Sequence, residues 1–329
     1  MTRNGFSLSL PAGDPSQACA PADAQGLAIV HAFADDHFAG NPAGVLIRDR
    51  APSPASLSAL ARQLCLPIVS LLIPGAGEAD YRIRWFSPNA ELDLCGHGTL
   101  AAAAWLYRIT PDREAPWRLE SASGILHARR EGAQIAIDLP ALGLARATPD
   151  IARAVTCAIG RRPQVVLQAQ DDIVAVLEDA DAVIAHRPDI TAIADLPCRG
   201  LVITAAADPD LAMPDGGEPA DIVSRFFAPR IGIDEDAVCV SAHCKLYGYW
   251  AARLGRERLS AWQASAPGGR LGLTGRFPCV RISGSARFLG DVTSRRTGQE
   301  TAAITAAAPA GIPAPAHPRR GASRPARRA

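Results

Sequence analysis

Lysine is nearly missing from this chain of 329 residues: of its 34 basic residues, only Lys245 is not arginine. Lysine Schiff-base chemistry would have to run through that one residue. Its place four residues after Ser241, on an expected helix, reads more simply as a solvated side chain, so no pyridoxal-type cofactor is expected. Long apolar runs are missing too. No stretch approaches the roughly 18 residues of a membrane span. The N-terminus offers only Arg3 and a short run from Phe6 to Leu10, broken by Pro11, Gly13 and Asp14, a poor signal-peptide core. Neither a GxGxxG nor a P-loop pattern occurs, which leaves nucleotide binding without support. CxxC pairs are missing as well, so Cys95, His97, Cys239, His243 and Cys244 lack the spacing of a structural zinc site, and no metal is expected.

Bulk charge is also small. The formal net charge is +1, and residues 291–329 carry seven arginines against Asp291 and Glu300, a local +5 that leaves the rest at −4. The body of the chain has no basic field for nucleic acid, and no nucleic-acid or membrane partner is expected. Hydrophobic residues at 48% exclude a wholly disordered chain, and the length allows two cores. Eight cysteines spread along a chain this long read as reduced thiols in a cytoplasmic protein.

The pattern divides the chain into a loose Ala/Pro/Gly-rich extension (1–26), a first α/β half (27–147), a second (148–290) and a disordered Arg/Ala/Pro-rich tail (291–329). In the first half, strands are expected at 27–33, 44–47, 81–86, 117–121, 124–129 and 133–138. A helix with apolar residues at Leu57, Leu60, Ala61 and Leu64 is closed by Pro67, and a four-alanine helix follows Thr99. The second half repeats the plan, with strands at 164–167, 173–177, 201–204 and 221–227 and helices at 148–159 and 241–254. A faint echo runs between the halves: His97 precedes Trp105 by eight residues and His243 precedes Trp250 by seven. Two similar α/β halves facing each other would produce it.

Two loops carry the chemistry. In Cys95-Gly-His-Gly-Thr99, Gly96 and Gly98 flank His97 at a strand-to-helix turn, where a ligand can approach free amides and a positive dipole end. The same field would acidify Cys95. Asp234-Glu-Asp-Ala-Val-Cys-Val-Ser-Ala-His243 places an acidic cluster ahead of a second helix, with Ser241 and Ala242 in its first turn. Alone it reads equally as N-terminal capping. Two such helix starts facing each other would grip one small anion from both sides.

These segments, together with Phe38-Ala-Gly-Asn-Pro-Ala-Gly-Val45, Arg84-Trp-Phe-Ser-Pro-Asn-Ala90, Phe226-Phe-Ala-Pro-Arg-Ile-Gly-Ile233, Gln263-Ala-Ser265, Gly268-Gly269 and Val280-Arg-Ile-Ser-Gly284, resemble the phenazine-biosynthesis isomerase family (PhzF-like) from about Ala28 to Leu289. The resemblance implies an α/β (α+β) fold of two similar barrel-like sheet domains, each around a central helix, as in diaminopimelate epimerase and proline racemase. It implies a cofactor-free acid/base site, a small carboxylate-bearing metabolite as ligand, and a homodimer. His97 matches the family's active-site histidine, Asp236 its acidic partner and Ser241 the serine of the second helix start. Asn41, Gly96, Gly98 and Ala242 fall where the family lines the ligand cleft.

Three departures matter. Ile68 stands where the family has its glutamate base, and an aliphatic side chain takes no proton. Cys239 replaces a threonine, and Val240 replaces a glycine. Two further readings follow: a two-thiol epimerase or racemase using Cys95 and Cys239, or a degenerate paralogue that binds a small acid without turning it over. Glu91 and Asp93, near His97, read as solvated or structural.

Overall fold

The computed structural model describes residues 26–292 apart from 36–38, 170, 215 and 277. The expected extension up to residue 25 and the expected tail lie outside the described residues, except that Asp291 and Val292, assigned above to the tail, continue the last strand of the sheet.

In chain order the elements are β1 (Leu27–Ala32), β2 (Asn41–Ile47), α1 (Pro54–Gln63), β3 (Val69–Pro74), β4 (Tyr81–Phe86), β5 (Glu91–Leu92), α2 (Gly96–Ile109), β6 (Trp117–Ser121), β7 (Gly124–Glu131), β8 (Gln134–Pro140) and β9 (Ala145–Arg146). There follow α3 (Pro149–Ile159), β10 (Val165–Ala169), β11 (Asp172–Val176), α4 (Ala180–Ile184), α5 (Ile190–Ala194), β12 (Gly200–Ala206), β13 (Ile222–Phe227), a 3₁₀ turn (Pro229–Ile231), α6 (Val240–Leu254), β14 (Arg258–Gln263), β15 (Gly269–Arg276), β16 (Cys279–Gly284) and β17 (Ala286–Val292).

The strand pairings repeat. β1 to β2 is antiparallel, β2 to β3 parallel, β3 to β4 antiparallel, β4 to β6 parallel, and β6, β7 and β8 form an antiparallel meander. The same succession of signs recurs through β10, β11, β12, β13, β14, β15 and β16. Each parallel step needs a crossover. α1 and α2 supply the two in the first set, and the α4–α5 pair and α6 supply those in the second. β17 returns to pair with β1, and β8 pairs with β16, so the two sets join in one hydrogen-bonded sheet.

Each set surrounds one helix. α2 packs against β1, β2, β3, β7, β8 and β17, and α6 against β14 and β16. The sequence dictates this for α2: Leu100, Ala101, Ala102, Ala103 and Leu106 are all buried, so the helix is apolar around most of its girth and small enough to lie inside a sheet. One core cluster takes in both central helices, from Val30, Val45 and Trp85 to Leu246, Trp250 and Ile282.

α1 ends sooner than its periodicity predicts, at Gln63, and Cys65 adopts φ +52°, a left-handed conformation that turns the chain before Pro67 is reached. β3 was not expected as a strand. It is a continuous apolar run, Val69-Ser-Leu-Leu-Ile-Pro74, buried through Leu72 and hydrogen-bonded on both edges by β2 and β4, so it lacks the alternation of a half-exposed strand. No described helix is long and apolar enough to cross a membrane.

Candidate active site

The two central helices begin alike. Cys95 caps α2 and Cys239 caps α6, both in extended conformation and neither with a side-chain capping bond. The acidic run 234–236 therefore does not cap α6. Four residues into each motif a side chain donates to the cap carbonyl: Thr99 Oγ1 to Cys95 O at 2.6 Å, and His243 Nδ1 to Cys239 O at 2.8 Å. Counted from the caps, His97 corresponds to Ser241, not to His243 as the His-to-Trp spacing suggests. His243 is fully buried in the first turn of α6, with Nε2 accepting from Ser224 Oγ at 3.2 Å.

The helix starts meet closely. A Cβ on Gly96 would sit 2.4 Å from the Cβ and Cγ1 of Val240, so the valine that replaces the family's glycine fills the gap between them. A Cβ on Gly98 would sit 2.7 Å from Ser70 Oγ and 2.8 Å from Trp85 Cδ1. Both glycines are needed for approach. Gly96→Ala is expected to cost about 1–3 kcal/mol by overpacking, read as a lower urea midpoint at unchanged slope, and Val240→Gly in the same chain should restore the loss.

Asp236 is held from several sides. Asn41, the fully buried first residue of β2, donates from Nδ2 to Asp236 Oδ1 at 2.7 Å and to Val238 O at 3.0 Å. Gln263 donates to Asp236 O at 2.6 Å while its Oε1 accepts from Cys239 N at 2.8 Å, and Ser265 Oγ donates to Ala237 O at 2.6 Å. Asn41 Oδ1 is a buried acceptor with no partner among the described residues. Ala242, the third residue of α6, is buried.

The charge of Asp236 reaches His97, Cys95 and Cys239. Burial holds the His97 imidazole below its ordinary range, and Asp236 partly opposes that. Burial pushes both Cys95 and Cys239 up to about 12, with Asp236 adding to the rise. At neutral pH the imidazole is therefore neutral and both sulfurs carry protons. Each thiol has a partner: Cys95 Sγ lies 3.6 Å from His97 Nδ1, and Cys239 Sγ lies 3.4 Å from Ser241 Oγ.

Burial also brings His243 from the ordinary 6.5 down to about 4. Above about pH 6.5 the ring is neutral folded or unfolded. As pH falls toward about 4, the unfolded chain takes up a proton that the folded chain refuses, so stability drops by ~1.4 kcal/mol per pH unit, about 3 kcal/mol in all. Urea titrations at pH 7, 5.5 and 4 should show a drop that is smaller by this amount in His243→Gln.

The sequence reading of Lys245 as solvated is incorrect. Only 2% exposed, it pairs through Nζ with Asp172 Oδ2 and lies 3.2 Å from Asp171 Oδ1. An ammonium inside the sheet needs such carboxylates to offset its lost hydration. Arg199, which sequence reasoning missed, joins the same cluster and donates from Nη2 to Ser241 Oγ at 3.2 Å. The available signal was the adjacent pair Asp171-Asp172 and the uniqueness of Lys245. Glu91 is structural, forked onto Arg84 with both contacts at 2.7 Å. Ile68 lies inside the apolar core, 1% exposed, and its carbonyl accepts from Gly44 N at 3.0 Å. A separate open cavity of about 290 Å³ is lined by Phe33, Trp262, Ser265 and Gly268 among others, and none of His97, Asp236 or Ser241 lines it.

Fold and helix starts together define a class, the epimerase-like α/β proteins with two enclosed helices. The match narrows with comparison. A family model described as phenazine biosynthesis-like protein covers residues 30–288, and the chain belongs to that family. An uncharacterized isomerase of Pseudomonas aeruginosa is 41% identical over 258 residues, covering 78% of this chain and 93% of its own. A phenazine biosynthesis-like domain-containing protein of Mus musculus is 30% identical over 265 residues, 75% of this chain and 90% of that one. The crystal structure of a PhzF-family protein of Enterococcus faecalis superposes with a TM-score of 0.73 at 31% identity, covering 82% of this chain and 99% of the other. A probable proline racemase of Agrobacterium radiobacter, at TM-score 0.51 and 13% identity, shares the fold.

Proposed function

We propose that this chain is an isomerase that moves a proton on a small carboxylate-bearing metabolite, with His97 and Asp236 handling the proton and Ser241 and the two helix starts holding the carboxylate. One observation carries the reading: Asp236, anchored by Asn41, places its negative charge on a neutral, half-buried imidazole where the two helix starts meet.

The chemistry follows from the charges. The neutral imidazole of His97 accepts a proton from a carbon activated by the ligand's carboxylate, and the imidazolium that forms is stabilised by Asp236. The imidazolium, whose N–H exchanges with solvent, then returns a proton to a second carbon or face, so the reaction balances with no net gain or loss of protons. Amides at the helix starts and the hydroxyl of Ser241 suit a carboxylate. Asn41 Oδ1 suits a ligand N–H or O–H. With Ile68 unable to take a proton, the base role passes to His97.

The two-thiol reading has one observation in its favour, since Cys95 and Cys239 cap the two helices and each touches a polar partner. It needs one thiolate, whereas burial keeps both sulfurs protonated. The test is solvent-deuterium incorporation into a panel of small cyclic acids and amino acids, followed by NMR. Deuterium beside the carboxylate of any member supports isomerase chemistry. Thermal stabilisation by a member, with no exchange into any, would instead establish the binding-only reading.

A further inference from the structure

A buried ion cluster lies beneath the start of α6. Lys245, the chain's sole lysine, and Asp172, on β11, are 2% and 0% exposed. Asp172 accepts from Lys245 Nζ on Oδ2, and from Arg199 through Nε on Oδ1 at 3.0 Å and through Nη2 on Oδ2 at 2.5 Å. Asp171, half exposed, lies 2.8 Å from Arg199 Nε and 3.2 Å from Lys245 Nζ. Two cations thus face two carboxylates, and the guanidinium is fixed by a two-point fork. It also lies over the ring of Phe226, 5.4 Å from its centroid. Among the described residues, this cluster reaches the site through a hydrogen bond from Arg199 Nη2 to Ser241 Oγ at 3.2 Å.

We propose that Arg199 is a positioning residue for the second helix start: by donating to Ser241 Oγ it commits that hydroxyl to donate its own proton into the site, and the Lys245–Asp172 pair holds Arg199 in place to do so. A guanidinium has five donors and no acceptor, so Ser241 Oγ must be the acceptor in their bond. The hydroxyl proton is then available to Cys239 Sγ, 3.4 Å away, or to an acceptor on the ligand. A carboxylate is the ligand group such a fixed donor selects. The proposal deepens the carboxylate-binding reading of Ser241 and rests on it, but it can be tested without turnover, so failure of the one is distinguishable from failure of the other.

Cys239 is the reporter. It is faced by Asp236, which disfavours its thiolate, by Arg199 and Ser241, which favour it, and by Cys95 and Cys244, with which it interacts. The experiment is peptide-resolved alkylation of the full-length protein by iodoacetamide between pH 8 and 10, scored as the ratio of Cys239 to Cys95 modification. Arg199→Gln should lower that ratio at least fivefold. Ser241→Ala, a half-exposed change that leaves the ion cluster intact, should lower it at least threefold, and the double variant should fall by less than the product of the two. Arg199→Lys, which keeps the charge but loses the fork, should recover only part of the ratio. An unchanged or raised ratio in Ser241→Ala, or independent multiplicative effects in the double variant, would overturn the proposal. If Arg199→Gln fails to fold, Ser241→Ala and Arg199→Lys decide it.

Discussion

Asp172→Ala is expected to lower the stability of the protein by about 3–5 kcal/mol, because it removes the buried carboxylate that pairs with both the Lys245 ammonium and the Arg199 guanidinium and leaves them the half-exposed Asp171 as counter-charge. At ~2–4 °C per kcal/mol for a chain of this size, the midpoint of thermal unfolding should fall by roughly 6–20 °C. Asp172→Asn should be nearly as damaging, since it keeps the shape and removes the charge. Lys245→Met should be far milder: it removes a buried cation, fills most of its space with apolar surface, and leaves Asp172 forked onto Arg199. Urea denaturation of the three variants reads the contrast. Equal losses for Asp172→Asn and Lys245→Met would mean that the cluster acts through packing and not through charge pairing.

His97→Gln is expected to reduce proton transfer by about 10²–10⁴-fold, the range for removal of a general base, with little change in stability. The pH dependence carries a sign. Burial holds the imidazole below its ordinary range, so it remains a competent base as the solution is acidified through that range, and activity falls only below it. Asp236 pushes in the opposite direction, raising the histidine. Asp236→Asn should therefore move the acid limb of kcat/KM to lower pH while reducing the maximum, because the imidazolium formed in the reaction loses its counter-charge. An acid limb that moves upward in Asp236→Asn would place the titrating group elsewhere.

Much of the site was legible because its parts are local in sequence. Glycine, histidine and glycine before an alanine run announce a helix start open to a ligand, and α2 begins at Gly96 as that pattern requires. The repetition between halves was visible as a repeated plan of strands and helices with a faint His-to-Trp echo, and the cap residues give its true register, Cys95 with Cys239. What escaped the sequence is non-local. Asn41 meets Asp236 across 195 residues, and Lys245 meets Asp172 across 73. A lone lysine four residues from a serine reads locally as solvated, because the carboxylate that draws it into the core lies on a distant strand. Val240 reads in the sequence as a replaced glycine that crowds its own helix start, but its actual neighbour, Gly96 of the other helix start, is again distant in sequence. β3 was hidden for a simpler reason, since a strand buried on both faces has no period to read.

The central claim is that an imidazole and a carboxylate, not two thiols, move the proton. It is tested most directly by the rate of solvent-deuterium incorporation, into whichever acid of the panel the wild-type protein exchanges, measured side by side for His97→Gln and for the double variant Cys95→Ser, Cys239→Ser. The account predicts that the double serine variant retains exchange within about tenfold of wild type while His97→Gln loses at least a hundredfold. Loss of exchange in the serine variant, with His97→Gln still active, would contradict it and assign the proton to the sulfurs.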